Sequence, residues 1–202
     1  MKRKLLVLIT VGLAAILVLA STAGADEISD QIKEAIALYE AGDYAGAVSE
    51  LEFAAAQIRQ MQAGEYSDAL PDPLPDWTAP DAETSTYAGS MMGGAVGANR
   101  QYRKGDATAE IEIMADSPML QGIAMMFNNP MMLTSSGMQL IKIKGQKAAL
   151  KYDTAGRSGE IMLVVLNTVL VTVSGDDIDQ KDLKAYAEAI DYALIKKIVA
   201  GS

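Results

Sequence analysis

The sequence predicts an α+β protein: an N-terminal helical hairpin followed by a mostly antiparallel sheet domain of order roughly β-β-α-β-β-β-β-α. Three observations carry that reading. Between residues 28 and 58 apolar side chains recur every three or four positions, the helical period. After residue 95 they alternate with polar ones in short runs, the strand period. Between the two regimes lie Pro71, Pro73, Pro75 and Pro80, which exclude helix and central strand alike.

The first element in chain order is an export signal. Lys2, Arg3 and Lys4 form a charged start, and Leu5 to Ala20 an apolar run. Ala23-Gly24-Ala25 then supplies the small-x-small pattern that signal peptidase cleaves after. Residues 1–25 are therefore expected to be removed, placing the protein in the bacterial periplasm or outside the cell. The apolar run is shorter than the roughly 20 residues a membrane span needs, which disfavours a retained anchor.

Residues 26–64 are expected to form the helical hairpin. Ile28, Ile32, Ala35, Ile36 and Tyr39 mark the apolar stripe of the first helix. Ala41-Gly42-Asp43 breaks it. Tyr44, Ala47, Val48, Leu51, Ala54, Ala55 and Ile58 mark the stripe of the second, closed by Gly64. Ala35, Leu38, Gly42-Asp43-Tyr44, Ala47, Leu51 and Ala54 follow the small, large, turn, small, large, small order of a tetratricopeptide repeat, which this hairpin resembles. That resemblance covers one repeat, has Arg59 near the place of the usual closing proline, and implies contact with proteins. One such hairpin cannot bury its own apolar face, so the rest of the chain, a second copy or a partner is expected to cover it.

Residues 65–83 are expected to be a proline-rich hinge, with Trp77 pinning it to a domain surface. Residues 84–202 are expected to be the α+β domain. Val96 to Arg103 and Ala107 to Ile113 read as a hairpin turned by Lys104-Gly105-Asp106. Ser117-Pro118 opens a helix that Asn128-Asn129-Pro130 stops. Ile141 and Ile143, then Ala148, Leu150 and Tyr152, mark two more strands. Ile161 to Leu166 is apolar on both faces, which suits a central strand, and Val169, Val171 and Val173 follow a turn at Asn167-Thr168. A final helix is expected from Asp179, with Leu183, Tyr186, Ile190, Leu194 and Ile198 as its buried stripe.

That element order resembles the Mog1p/PsbP-like class of small exported or luminal proteins. Leu74-Pro75-Asp76-Trp77, Tyr102 to Asp106, Ser117-Pro118-Met119, Gly145 to Ala148 and Asp182 to Ala187 also make the chain similar to an uncharacterised family of exported bacterial proteins. No assigned activity comes with that family.

Composition narrows the chemistry. Among 202 residues there is no Cys and no His, so disulfides, thiol nucleophiles, lipid attachment, Cys/His zinc sites and histidine bases are excluded. Loss of Lys2, Arg3 and Lys4 with the signal leaves 14 of 17 basic residues against 26 acidic ones, a net charge of −12. Such a surface repels nucleic acid and anionic lipid. No membrane insertion is expected after signal cleavage.

Seven of the 12 methionines lie between 114 and 138: Met114, Met119, Met125, Met126, Met131, Met132 and Met138. Met91 and Met92 form a further pair. Thioethers suit Cu(I), so a methionine-based copper carrier is one reading and an apolar groove another. Core packing is the leading one, since Met is adaptable and the chain has only two Phe. Gly93-Gly94-Ala95-Val96-Gly97 lacks the Lys-Ser/Thr of a phosphate loop and reads as a flexible loop or bulge. Glu110 and Glu112 share one strand face and read as a solvated surface, although they leave a carboxylate-dependent hydrolase formally open. Asp176, Asp177 and Asp179 lack the glycine and distal glutamate of a calcium loop and read as carboxylates at a helix start.

No residue is assigned a catalytic, metal-ligating or cofactor-binding role. The expectation is an exported, non-enzymatic binding or accessory protein whose partner is a protein or a small apolar ligand.

Overall fold

The computed structural model describes residues 27–86 and 94–201. The expected export signal, residues 1–25, and Met91-Met92 fall outside them. Two compact units divide between Ile58 and Arg59.

The first unit is the hairpin. Helix α1 covers residues 27–40, and α2 covers Tyr44–Ser67, continuing past the unit boundary. The turn closes by backbone chemistry. Gly42 takes φ +82°, its N–H donates to Tyr39 O, and the Asp43 N–H donates to Leu38 O, satisfying the last carbonyls of α1. Asp43 then caps α2: its Oδ1 accepts from the Gly46 N–H at 3.0 Å.

The second unit is built on a seven-stranded sheet in which every neighbouring pair is antiparallel. Its strands are β1 Glu83–Thr86, β2 Val96–Lys104, β3 Ala107–Ala115, β4 Gln139–Ile143, β5 Gln146–Asp153, β6 Ser158–Val165 and β7 Val169–Asp176. Their spatial order is β1-β2-β3-β7-β6-β5-β4. Helices α3 Met119–Asn128 and α4 Pro130–Ser135 sit between β3 and β4, and α5 Gln180–Ala189 and α6 Tyr192–Ala200 end the chain. The α+β class is as the sequence predicts.

Strand alternation places Ile111, Ile113, Ile161, Leu163, Val165, Val169, Val171 and Val173 on one face, where all are buried. Leu183, Tyr186, Ile190 and Ile195 close over them, with Ala63 and Tyr66 from the end of α2. Each fully buried aliphatic side chain contributes about 1.5–3 kcal/mol. On the opposite face Phe127 and Leu133 form a smaller cluster with Ala149, joined by Met126, Met138, Met162 and Val164. Thus β6 is apolar on both faces because it is covered on both.

Four details differ from expectation. A short edge strand, β1, precedes the expected first strand, and α2 passes Gly64 to end at Ser67. After Asn129 the chain resumes as α4, because the Asn129 Oδ1 accepts from the Met131 N–H and Pro130 suits a first turn. The final helix is two. Ile190 leaves helical geometry at ψ 139°, and Asp191 caps α6 by accepting from the N–H groups of Ala193 and Leu194.

The proline-rich segment lies along the sheet domain as a strap. Trp77 is buried and meets the Tyr186 ring edge-on at 5.1 Å, while Tyr186 packs on Tyr102 at 4.4 Å. Pro71 O accepts from the Tyr102 hydroxyl at 2.8 Å and from Arg100 Nη1 at 3.0 Å. Arg100 Nε also donates to Pro80 O, so one guanidinium fastens both ends of the strap.

Burial makes these phenols hard to ionise. Tyr66 and Tyr186 are pushed up from 10.0 to about 12, chiefly by desolvation, with Asp116 and Glu65 adding to it at Tyr66. Tyr102 and Tyr192 shift the same way. The folded protein keeps these protons while the unfolded chain releases them, so stability is whole below pH 10 and falls towards pH 12. Urea unfolding followed by circular dichroism is expected to show that loss, and a flat profile across the window would contradict it.

Candidate docking site

The most coherent exposed chemistry is on the hairpin. Small residues make the helix-helix contact: Ala35, Ala47 and Ala54 are all buried. Of the large residues in the two apolar stripes, Ile28 is buried and the others are not. Ile32, Ile36, Tyr39, Tyr44, Val48, Leu51 and Ile58 are exposed, with Tyr39 and Tyr44 each retaining 64 % of their surface. Alanines let the two backbones approach closely, which leaves the bulky neighbours on the rim rather than between the helices.

Five of them, Ile36, Tyr39, Tyr44, Val48 and Leu51, line an open cleft of about 310 Å³ together with Ala35 and Ala47. No charged side chain lines it. The Tyr39 and Tyr44 rings stand 5.7 Å apart beside the turn and close that end. The periodicity that marked these residues as apolar was visible in the sequence. Which of them the helix-helix contact would leave outside was not.

The charges around the cleft are predominantly negative. Residues 27–58 hold seven carboxylates and a single lysine, Lys33, which pairs with Asp30 at 2.6 Å. Glu40 follows Tyr39, and Glu50 and Glu52 flank Leu51, so each stands about 100° round its helix from the apolar stripe.

The other sequence candidates are dispersed. Of the methionines, Met126 and Met138 pack in the small cluster, but Met119, Met125, Met131 and Met132 are exposed, Met131 by 79 %. The core-packing expectation therefore fails for these four: Leu120, Phe127 and Leu133 take the inward positions of α3 and α4 instead. Ser117 to Ile141 contains no charged residue, so these methionines lie in an uncharged stretch of an acidic chain.

Glu110 and Glu112 lie on the sheet face opposite the main core, both half-buried. Asn99 Nδ2 donates to Glu110 Oε1 at 3.4 Å, and register places Glu112 between Asn99 and Thr172. Burial, then the Glu110 carboxylate, raises the Glu112 carboxyl above its ordinary range. Its ionised form is thus unfavourable in the folded state, and the stability it contributes at low pH is lost as pH rises through the raised value. Glu112→Gln is expected to raise the melting temperature at neutral pH and to lose that gain in acid. An equal gain at both would contradict the assignment.

Asp179 reaches the Arg157 guanidinium at 3.2 Å, Asp176 ends β7 and Asp177 lies in the bend before α5. Among the described residues no three Asp or Glu side chains stand close enough to hold a metal ion. No described helix is long and apolar enough to cross a membrane. A larger cleft of about 520 Å³ joins the end of α2 to α6, but Glu65, Asp68, Lys197 and apolar residues alternate in its wall and select no single chemistry.

No protein family, curated protein or solved structure matches this chain.

Proposed function

We propose that this is an exported, non-enzymatic accessory protein that docks a protein partner through its N-terminal hairpin. One observation carries the reading: the cleft between Tyr39, Tyr44, Val48 and Leu51 is apolar and open to solvent. Contiguous exposed apolar surface on a soluble domain marks an interaction site. The charged start, apolar run and Ala23-Gly24-Ala25 support export. The absence of Cys and His from the sequence supports a binding role over a catalytic one.

A photo-crosslinking residue placed at Val48 tests the reading in exporting cells. Discrete protein adducts are expected there, lost on Leu51→Glu and absent when the crosslinker sits at Thr154 in an exposed turn of the sheet domain. Identical adducts at both positions would remove the hairpin's role. Deletion of the hairpin is a poor test, because Ala63 and Tyr66 at the end of α2 belong to the main core.

A second reading, thioether binding of Cu(I), is favoured by the exposure of Met119, Met125, Met131 and Met132. Anaerobic Cu(I) titration against a competing chelator tests it. Affinity unchanged by Met→Leu at Met125, Met131 and Met132 would exclude it.

A further inference from the structure

We infer that the hairpin cleft takes a basic amphipathic helix. This rests on the docking reading above and adds the chemistry of the partner.

A helix fits the walls better than a strand. The cleft runs between two helices whose backbone groups are already paired within each helix. An extended segment laid there would leave its own N–H and C=O groups facing apolar side chains. A helix satisfies them internally and presents only side chains, in the i, i+3, i+4, i+7 pattern of groove-bound helices. From Tyr44 to Leu51 the wall runs about 10 Å, enough for roughly two turns of a partner. A small apolar ligand is a poorer match, because an open cleft cannot enclose most of its surface.

Charge decides the partner's flanks. Glu40, Glu50 and Glu52 beside the stripe, together with Asp43 at the turn, confront any occupant with negative potential. A second copy of this hairpin would bring the same carboxylates against them, and an anionic lipid surface would be repelled likewise. A helix with apolar anchors bordered by Lys or Arg meets both the cleft and its margins.

The test uses the full mature chain and two synthetic helices with identical leucine anchors. One carries lysine on its flanks and the other glutamate, and binding is read by fluorescence anisotropy. The basic peptide is expected to bind at least tenfold more tightly, with affinity falling as salt rises. Leu51→Glu and Val48→Glu alter exposed positions, so they are expected to keep the fold and to weaken binding at least tenfold. Glu40→Gln, Glu50→Gln and Glu52→Gln together are expected to bring the two peptides close to parity.

Equal binding of both peptides by the parent chain would overturn the charge assignment. So would failure of the basic peptide to bind. If adducts still form at Val48 in either case, the docking reading stands and only the partner's chemistry is wrong. Dimerisation of the parent chain that Leu51→Glu abolishes would assign the cleft to a second copy instead.

Discussion

Tyr186→Ala is expected to destabilise the protein by about 3–5 kcal/mol, the usual result of deleting a buried aromatic side chain. Tyr186 is fully buried at the junction of three elements. Its ring packs on Tyr102 at 4.4 Å and receives Trp77 edge-on at 5.1 Å, so both aromatic pairs go with it. Its hydroxyl also accepts from the Leu74 N–H at a long 3.4 Å. Typical domains hold only about 5–15 kcal/mol in total, so this one change removes a large fraction. Tyr186→Phe keeps the ring and loses only that weak bond, an effect of about 1 kcal/mol or less. Urea denaturation of the two variants separates packing from hydrogen bonding. Losses of equal size would show that the hydroxyl, rather than the ring, holds the strap.

The second large effect is expected at Gly175. It lies opposite Gly159 on the neighbouring strand, and the pair makes a notch in the sheet face that receives α5 and the residues before it. A Cβ at Gly175 would stand 2.7 Å from Thr108 O and 2.8 Å from Ile178 Cγ2. At Gly159 it would stand 2.6 Å from Tyr152 Cδ2 and 2.8 Å from Lys151 O. Two of these neighbours are backbone atoms of paired strands and cannot yield without disturbing the ladder. Ile178 and Leu183 are both fully buried, so the segment over the notch has no room to lift. Gly175→Ala is therefore expected to cost about 1–3 kcal/mol, the range for overpacking. Because the two glycines share the notch, the double variant is expected to depart from the sum of the singles. Thermal melts of all three variants provide the check. A Gly175→Ala protein as stable as its parent would mean that the close approach is not needed.

Much of this fold was legible because the main strands alternate cleanly. Ala107 to Ile113 and Val169 to Val173 each announce a buried face, and both lie in the sheet as expected. The elements that escaped had no such signal. Glu83-Thr84-Ser85-Thr86 has no apolar residue, and pairing with β2 makes it a strand. The break at Ile190 was hidden because Leu183, Tyr186, Ile190, Leu194 and Ile198 keep helical spacing across it. The extended ψ of Ile190 and the two hydrogen bonds accepted by Asp191 reveal the restart. On the hairpin, periodicity identified the apolar residues but could not rank them by depth. Depth there is set by how closely the backbones approach, which the buried alanines decide. The methionines failed for a related reason: an uncharged helix offers several apolar faces, and composition does not say which one meets the sheet.

Trp77 gives the strap an optical signature. It is the chain's only tryptophan, and its indole is enclosed against Tyr186. Intrinsic tryptophan emission from the whole molecule therefore reports one seam, where the proline segment meets the sheet domain. Release of that segment would move the indole into water and shift the emission to longer wavelength while the sheet's circular dichroism persisted. The two signals, followed together, would show whether the strap departs before the sheet melts or with it.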